Sequence, residues 1–363
     1  MIKKLIIFNP SIEDGGVEKN LFLIANYLAN KIPSLVLITS SIDKKKNFSK
    51  TIVFSAIYFN FFHYFKRYPK YFFCTLLLIF NIIKYKRRVV VLAFQANIYA
   101  IIVCKLLGVN IITRSNTSPY GWNKSSVKQL IFKFFFKKTD LIIVNSFEFK
   151  KQMDMTYSIQ SHVILNPFNF KYIKKKSLKN VQNNFFKKNT LKLINVGRLV
   201  DQKDQITIFK AMKLVLKKNK NIQLIIVGKG EKETNLNNYI FRNKLESYIK
   251  LVGYQDNPFK YIRAADLFVL SSKYEGLPNA LIESMFLKKS VISSDCPTGP
   301  KEILDNGNYG SLFKVGDYRS LAKLILNFKK NKKKIKNAFL SCSRYNYQDK
   351  CEEYFKTIEP YLK

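Results

Sequence analysis

Acidic side chains are scarce in this chain. It carries 24 Asp and Glu against 63 Lys and Arg, a formal net charge of +39. An excess of that size points to an anionic partner: nucleic acid, an anionic membrane or phosphorylated ligands. The abundance of Lys, Asn, Ile and Phe is also what an AT-rich genome produces, so composition is a second source of the charge. Histidine is scarcer still. His63 and His162 are far apart, which argues against a His-built metal site. The five cysteines (74, 104, 296, 342 and 351) are odd in number and lack C-x-x-C spacing. They read as reduced thiols of a cytosolic compartment. Long apolar runs are missing too. The most apolar segment, residues 71–83, falls short of the about 20 residues that span a bilayer. The first ten residues lack a long apolar region and a small-residue cleavage site, so no signal peptide is expected. There is no Asp-x-Asp metal pair and no G-x-G-x-x-G dinucleotide fingerprint.

What is present fits two α/β domains. The chain has 363 residues and 47% apolar content, enough for two cores of ordinary size. Strand-like runs alternate with helical periodicity in both halves, which predicts parallel sheets. Strands are expected at 5–8, 34–39, 51–57, 89–94, 111–113, 141–144 and 163–165, and again from 191–196 onward. Between the first strand and its helix lie Gly15 and Gly16, which let backbone approach a ligand closely. Ligands bind outside the carboxyl ends of strands in open α/β sheets, so Arg114 and Asn116 are candidate contacts. Residues 58–88 interleave aromatics with cations. They read either as an interfacial surface for anionic lipid or as a core helix with a solvated basic face. Aromatic–basic interleaving also suits single-stranded nucleic acid, but no nucleic-acid motif accompanies it.

The second half carries the chemistry. After the strand 191–196 come Gly197, Arg198 and Lys203. Arg198 offers a planar fork for phosphate oxygens and Lys203 a mobile point charge. The strand 222–227 ends at Gly228, in a lone G-x-G that is weak as a nucleotide signature. The strand 249–252 ends at Gly253 and Tyr254. A further strand, 266–270, leads into a loop with Glu275, Gly276, Leu277 and Pro278, then a helix carrying Glu283. Two carboxylates around a helix N-terminus can hold hydroxyls and an anion together, as a sugar phosphate would require. The strand 290–293 precedes the loop Pro297-Thr-Gly299-Pro300.

Glu275, seven residues, Glu283, with Gly-Leu-Pro inside, resembles the E-x7-E motif of retaining GT-B glycosyltransferases, especially glycosyltransferase family 4 (glycosyl transferases group 1). The Gly197-Arg-Leu…Lys203 segment, the Gly15-Gly16 loop and the loop holding Gly299 resemble the family's counterparts in order. The resemblance implies a GT-B architecture of two Rossmann-like domains facing a cleft. Residues 1–168 would be the acceptor side, 169–190 a linker, and 191–344 the nucleotide-sugar domain. Residues 345–363 would be a helix crossing back to pack on the first domain.

The roles it implies follow position by position. Glu275 would contact the donor sugar and Glu283 the ribose, while Arg198 and Lys203 would bind the diphosphate. Gly15 and Gly16 would face the donor phosphates, and Gly253 and Tyr254 would lie near the base. Gly197, Gly228, Gly276, Leu277 and Gly299 would complete the donor site. The family's N-domain His has no counterpart here, leaving Asn97 or Asn116 in its place. The implied reaction moves a sugar from UDP-hexose or UDP-N-acetylhexosamine with retention, without metal or other cofactor. The implied acceptor is a glycan, polyprenyl-diphosphate-linked, at the cytoplasmic face of the membrane, as in assembly of capsule, O-antigen or lipopolysaccharide. Two alternatives stand beside it: a nucleotide-sugar epimerase or phosphorylase on the same fold, and a non-catalytic basic protein binding membranes or polyanions.

Overall fold

Val89-Val-Val-Leu-Ala93 is buried along its whole length. A strand apolar on both faces belongs inside a parallel sheet with helices on either side, and the chain builds two such sheets. The computed structural model describes residues 3–12, 16–56, 67–116, 126–181 and 185–363. These divide into two compact units: residues 1–168 with 345–363, and residues 169–344.

In unit 1 the described strands are β1 (Lys4–Phe8), β2 (Leu35–Ile38), β3 (Val53–Ser55), β4 (Val89–Ala93), β5 (Asn110–Arg114), β6 (Leu141–Val144) and β7 (His162–Val163). Its helices are α1 (Gly16–Lys31), α2 (Arg67–Lys84), α3 (Asn97–Leu106), α4 (Ser126–Phe136) and α5 (Phe147–Tyr157). The sheet order is β3-β2-β1-β4-β5-β6-β7, and every pairing is parallel. The order reverses between β1 and β4, and there the Gln95 side chain accepts the Ser11 backbone N–H at 2.9 Å. One face of the sheet packs on α1 residues such as Leu21, Ile24 and Leu28. The other packs on Leu78 of α2, Ile101 of α3, Phe136 of α4 and Met153 of α5.

Unit 2 opens with α6 (Phe170–Ser177) and continues β8 (Leu191–Val196), α7 (Gln205–Leu216), β9 (Ile222–Val227), α8 (Glu233–Arg242), β10 (Ile249–Leu251) and α9 (Phe259–Ala264). Then come β11 (Leu267–Leu270), α10 (Asn279–Phe286), β12 (Ser290–Ser294), α11 (Pro300–Ile303), β13 (Ser311–Phe313), α12 (Tyr318–Leu326) and α13 (Lys332–Ser341). The order is β10-β9-β8-β11-β12-β13, again parallel, with its reversal between β8 and β11.

Helix α14 (Tyr347–Leu362) returns to unit 1, where Cys351, Tyr354, Ile358 and Leu362 join the core beneath α1. The expected linker at 169–190 is corrected at its start. Asn169 caps α6 by accepting the Tyr172 N–H at 2.9 Å, and Phe170 stacks on Phe286 with ring centroids 4.3 Å apart. A capped helix with a buried Ile173 is part of unit 2, although its lysine content reads as solvated. Residues 182–184 lie outside the described residues.

Candidate active site

The reversal between β8 and β11 leaves a crevice at the carboxyl ends of these two strands, the place where open α/β sheets bind ligands. From β8 the chain passes through Gly197 and Arg198 to a short 3-10 turn at Asp201–Lys203. Arg198 is exposed, and its carbonyl accepts the Gln205 side-chain amide at 3.0 Å. From β11 the chain passes through Ser271 and Ser272 to Glu275. Gln202 stitches the two loops: its side chain donates to the Tyr274 carbonyl and its own carbonyl accepts the Lys273 N–H, both at 2.8 Å.

Glu275 is buried, with 5% of its surface exposed, and its carboxylate is satisfied on the spot. The Lys203 ammonium lies 2.5 Å from Oε1, and the Ser272 hydroxyl donates to the same oxygen at 2.5 Å. Ser271 in turn donates to the Lys203 carbonyl at 2.8 Å, and Ser294 to the Ser272 carbonyl at 2.7 Å. Three strand ends, β8, β11 and β12, thus converge on one carboxylate. The Thr298 hydroxyl, from the loop after β12, reaches the carbonyls of Glu275 and Gly276 at 3.1 Å each. Nearby, burial and then the Glu275 charge push the Cys296 thiol up to about 12, so it stays protonated.

The glycines act here by bringing loops together. Gly228 has φ +154, and a Cβ on it would sit 1.9 Å from the Gly197 carbonyl oxygen. Gly299 has φ +91, and its Cβ would meet the Gly276 carbonyl oxygen at 2.5 Å. Neither place admits a side chain. At Gly197 itself the neighbour is the Lys203 stem, at 3.5 Å from an ideal Cβ. Gly253 passes its carbonyl to the Gly228 N–H at 2.9 Å, and the half-exposed Tyr254 ring lies under the Lys229 ammonium, 4.8 Å from its centroid. Leu277 and Pro278 are buried, and α10 begins directly after them. Glu283 follows on α10 with 3% exposure, among buried Leu281, Ile282 and Met285.

The candidates of unit 1 fare differently. Gly15 lies outside the described residues, and Gly16 is the first residue of α1. Arg114 is corrected as a ligand contact. It has 0% exposure, donating Nε to the Tyr354 hydroxyl at 2.7 Å and a terminal nitrogen to Asn166 Oδ1 at 2.7 Å. Its other terminal nitrogen bonds Asn116, and the guanidinium lies 5.2 Å over the Phe94 ring. The bond to Tyr354 ties β5 to α14, and those to Asn116 and Asn166 hold loops of unit 1. Asn116 is half-buried, and its amide also reaches the Phe94 carbonyl at 3.3 Å. Asn97 opens α3; its amide nitrogen donates to the Arg114 carbonyl at 3.2 Å, and Oδ1 is buried with no hydrogen-bond partner among the described residues. Of residues 58–88, those from 58 to 66 lie outside the described residues, and α2 covers 67–84.

Ser272, Gln202 and Thr298 were missed as site residues. The serine pair at a strand end was the one available sign, since strand-end hydroxyls of an open sheet face its ligand crevice.

Comparison with known proteins narrows the class. The structure superposes on Anabaena HepE in complex with UDP-glucose over 99% of this chain and 100% of the other, with a TM-score of 0.78 and 17% identity. The fold is that of the GT-B glycosyltransferases. Residues 177–341, most of unit 2 and the whole of the crevice, match the family described as Glycosyl transferases group 1. A stretch of 186 residues is 38% identical to an uncharacterised glycosyltransferase of Methanocaldococcus jannaschii, covering 50% of this chain and 46% of that protein. Another of 239 residues is 26% identical to a Campylobacter jejuni N-acetylgalactosamine-N,N'-diacetylbacillosaminyl-diphospho-undecaprenol 4-alpha-N-acetylgalactosaminyltransferase, covering 62% and 63%. The matches span less than two thirds of either relative's length.

Proposed function

We propose that the protein is a retaining glycosyltransferase of family 4 that moves a sugar from a UDP-sugar onto a lipid-linked glycan. The observation that carries this reading is the Lys203–Glu275–Ser272 cluster at the switch point of unit 2, inside the stretch that matches the family. A buried carboxylate fixed by two donors is a rigid acceptor for sugar hydroxyls. Beside it, Arg198 and Lys203 supply the positive charge that a departing diphosphate needs. The bond from the anomeric carbon to the β-phosphate oxygen breaks, and the acceptor oxygen bonds to that carbon on the same face. The acceptor proton passes to the leaving diphosphate. Glu283, buried on α10, is assigned to the ribose.

UDP as the nucleotude carrier is supported by the UDP-glucose held by HepE, and the lipid-linked acceptor by the diphospho-undecaprenol in the Campylobacter relative's name. The acceptor would be met at the cytoplasmic face of the membrane, in the assembly of a surface polysaccharide. Because Arg198 and Lys203 take the charge, transfer should proceed in excess EDTA. In the same assay Arg198→Ala should lower kcat/KM by about 10²–10³, the usual cost of one transition-state donor. A chelated enzyme revived only by Mg²⁺ or Mn²⁺, or an Arg198→Ala variant with wild-type rates, would remove the assignment. Isomerised donor without transfer would favour an epimerase instead.

A further inference from the structure

Between Asp43 and Asp140 the chain has no acidic residue at all. That stretch includes α2, α3 and α4, which lie side by side on one face of the unit 1 sheet. Each helix buries one side in the core: Cys74, Leu78 and Ile82 of α2, Ile101 and Cys104 of α3, Phe136 of α4. The opposite sides should then be polar, and they are not. On α2 the outward stripe is Tyr68, Phe72, Leu76, Phe80 and Ile83, with Phe72 58% and Phe80 60% exposed. On α3 it is Tyr99, Ile102 and Leu106, the last 80% exposed. On α4 it is Val127, Leu130, Ile131 and Phe134, with Leu130 66% exposed. Residues three or four apart recur in each stripe, with Leu130 and Ile131 each three or four from Val127 and Phe134 on α4, which keeps it on a single side of its helix. All three sides point away from the same core, so they share one surface. Isolated exposed apolar residues are ordinary, but three adjoining stripes form a patch that marks an interaction site.

The cations tell what covers it. Lys84 ends α2, Lys86 and Arg87 follow it, and Lys128, Lys137 and Lys138 flank the α4 stripe, all exposed. Lys138 reaches over the Phe134 ring, 4.3 Å from its centroid. Apolar rings and aliphatic chains edged by Lys and Arg, with no carboxylate in the whole segment, match an anionic lipid surface. Among the described residues no helix is long and apolar enough to cross a membrane, so contact would be interfacial. We propose that the outer face of α2, α3 and α4 docks on an anionic bilayer, with the rings among the headgroups and the cations against lipid phosphates. This deepens the lipid-linked acceptor reading by naming the surface that meets the membrane.

The test is sedimentation of the full-length protein with vesicles of phosphatidylcholine, with and without phosphatidylglycerol, at low salt and at about 1 M salt, where screening is nearly complete. The wild type should bind the anionic vesicles and keep part of that binding at high salt. Phe72, Phe80, Leu130 and Phe134 changed together to Gln should lose the salt-resistant part. Lys84, Arg87, Lys137 and Lys138 changed together to Gln should weaken low-salt binding at least about tenfold. These side chains are exposed, and circular dichroism checks that both variants fold. Failure of the wild type to prefer anionic vesicles, or binding unchanged in both variants, overturns the proposal. So does a wild-type dimer in light scattering that the apolar variant dissociates and that binds no vesicle, for the face is then a self-association surface. Vesicle binding is read without substrate, and transfer to a water-soluble acceptor in parallel. Loss of one reading therefore leaves the other standing.

Discussion

An ammonium group has three donors, and at Lys203 one is already committed to Glu275. The other two remain for a diphosphate, so the pair is compatible with the proposed role of Lys203. The pair also bears on folding, because Glu275 is nearly inaccessible and Lys203 is its counter-charge. Removing one partner of a buried pair strands the other, at about 3–5 kcal/mol. Lys203→Ala should therefore be destabilised by about that much in urea unfolding. Lys203→Ala combined with Glu275→Gln should recover more than half of the loss while transfer stays depressed. Wild-type stability in the single variant would show that the Ser272 hydroxyl, which already donates to the same oxygen, holds the carboxylate without the ammonium.

At the scale of one element, α14 is a late piece of chain that completes an early domain. Its Tyr354 has no exposed surface, and its hydroxyl accepts the Arg114 Nε hydrogen bond deep in unit 1. Tyr27 of α1 adds a more superficial tie, its hydroxyl donating to Glu352 at 2.5 Å. That bond pushes the phenol up to about 12. Arg114 is thus a structural cation. Tyr354→Phe removes one acceptor from a buried guanidinium and should cost about 1.5–3 kcal/mol, read as a lower urea midpoint with an unchanged slope. An unperturbed midpoint would mean that Asn116 and Asn166 suffice to hold the charge.

Among the described residues, buried clusters form on both faces of the β1–β7 sheet and, separately, on the β8–β13 sheet. Each has its own buried helices, so unfolding should resolve into more than one calorimetric component. Arg198, Lys203, Glu275 and Glu283 all belong to the second unit. UDP should therefore raise one component selectively, by about 2.7 kcal/mol at a hundredfold excess over Kd. A single transition that shifts as a whole, or none that shifts, would contradict the assignment of the nucleotide to unit 2.

Much of this was legible before any coordinates. The alternation of apolar strands with helical periodicity is local, and so are the Gly-Arg-Leu…Lys and Glu-x7-Glu spacings. Such patterns report which side chains share a strand end or a helix, and they place the site on loops that the sheet then presents. The chain alone could not say which distant loops meet. Lys203 and Glu275 are 72 residues apart, and Arg114 and Tyr354 are 240 apart. Arg114 and Arg198 look alike as strand-end arginines, yet one is sealed under α14 and the other is exposed. The lysine-rich α6 reads as linker in the sequence because what it packs against, Phe286 and α9, lies far along the chain. Likewise the aromatic stripe of α2 reads as core or as surface until α3 and α4 are set beside it. Strand order decides these outcomes, because it alone fixes which side chains share a dry interior and which must face water or lipid.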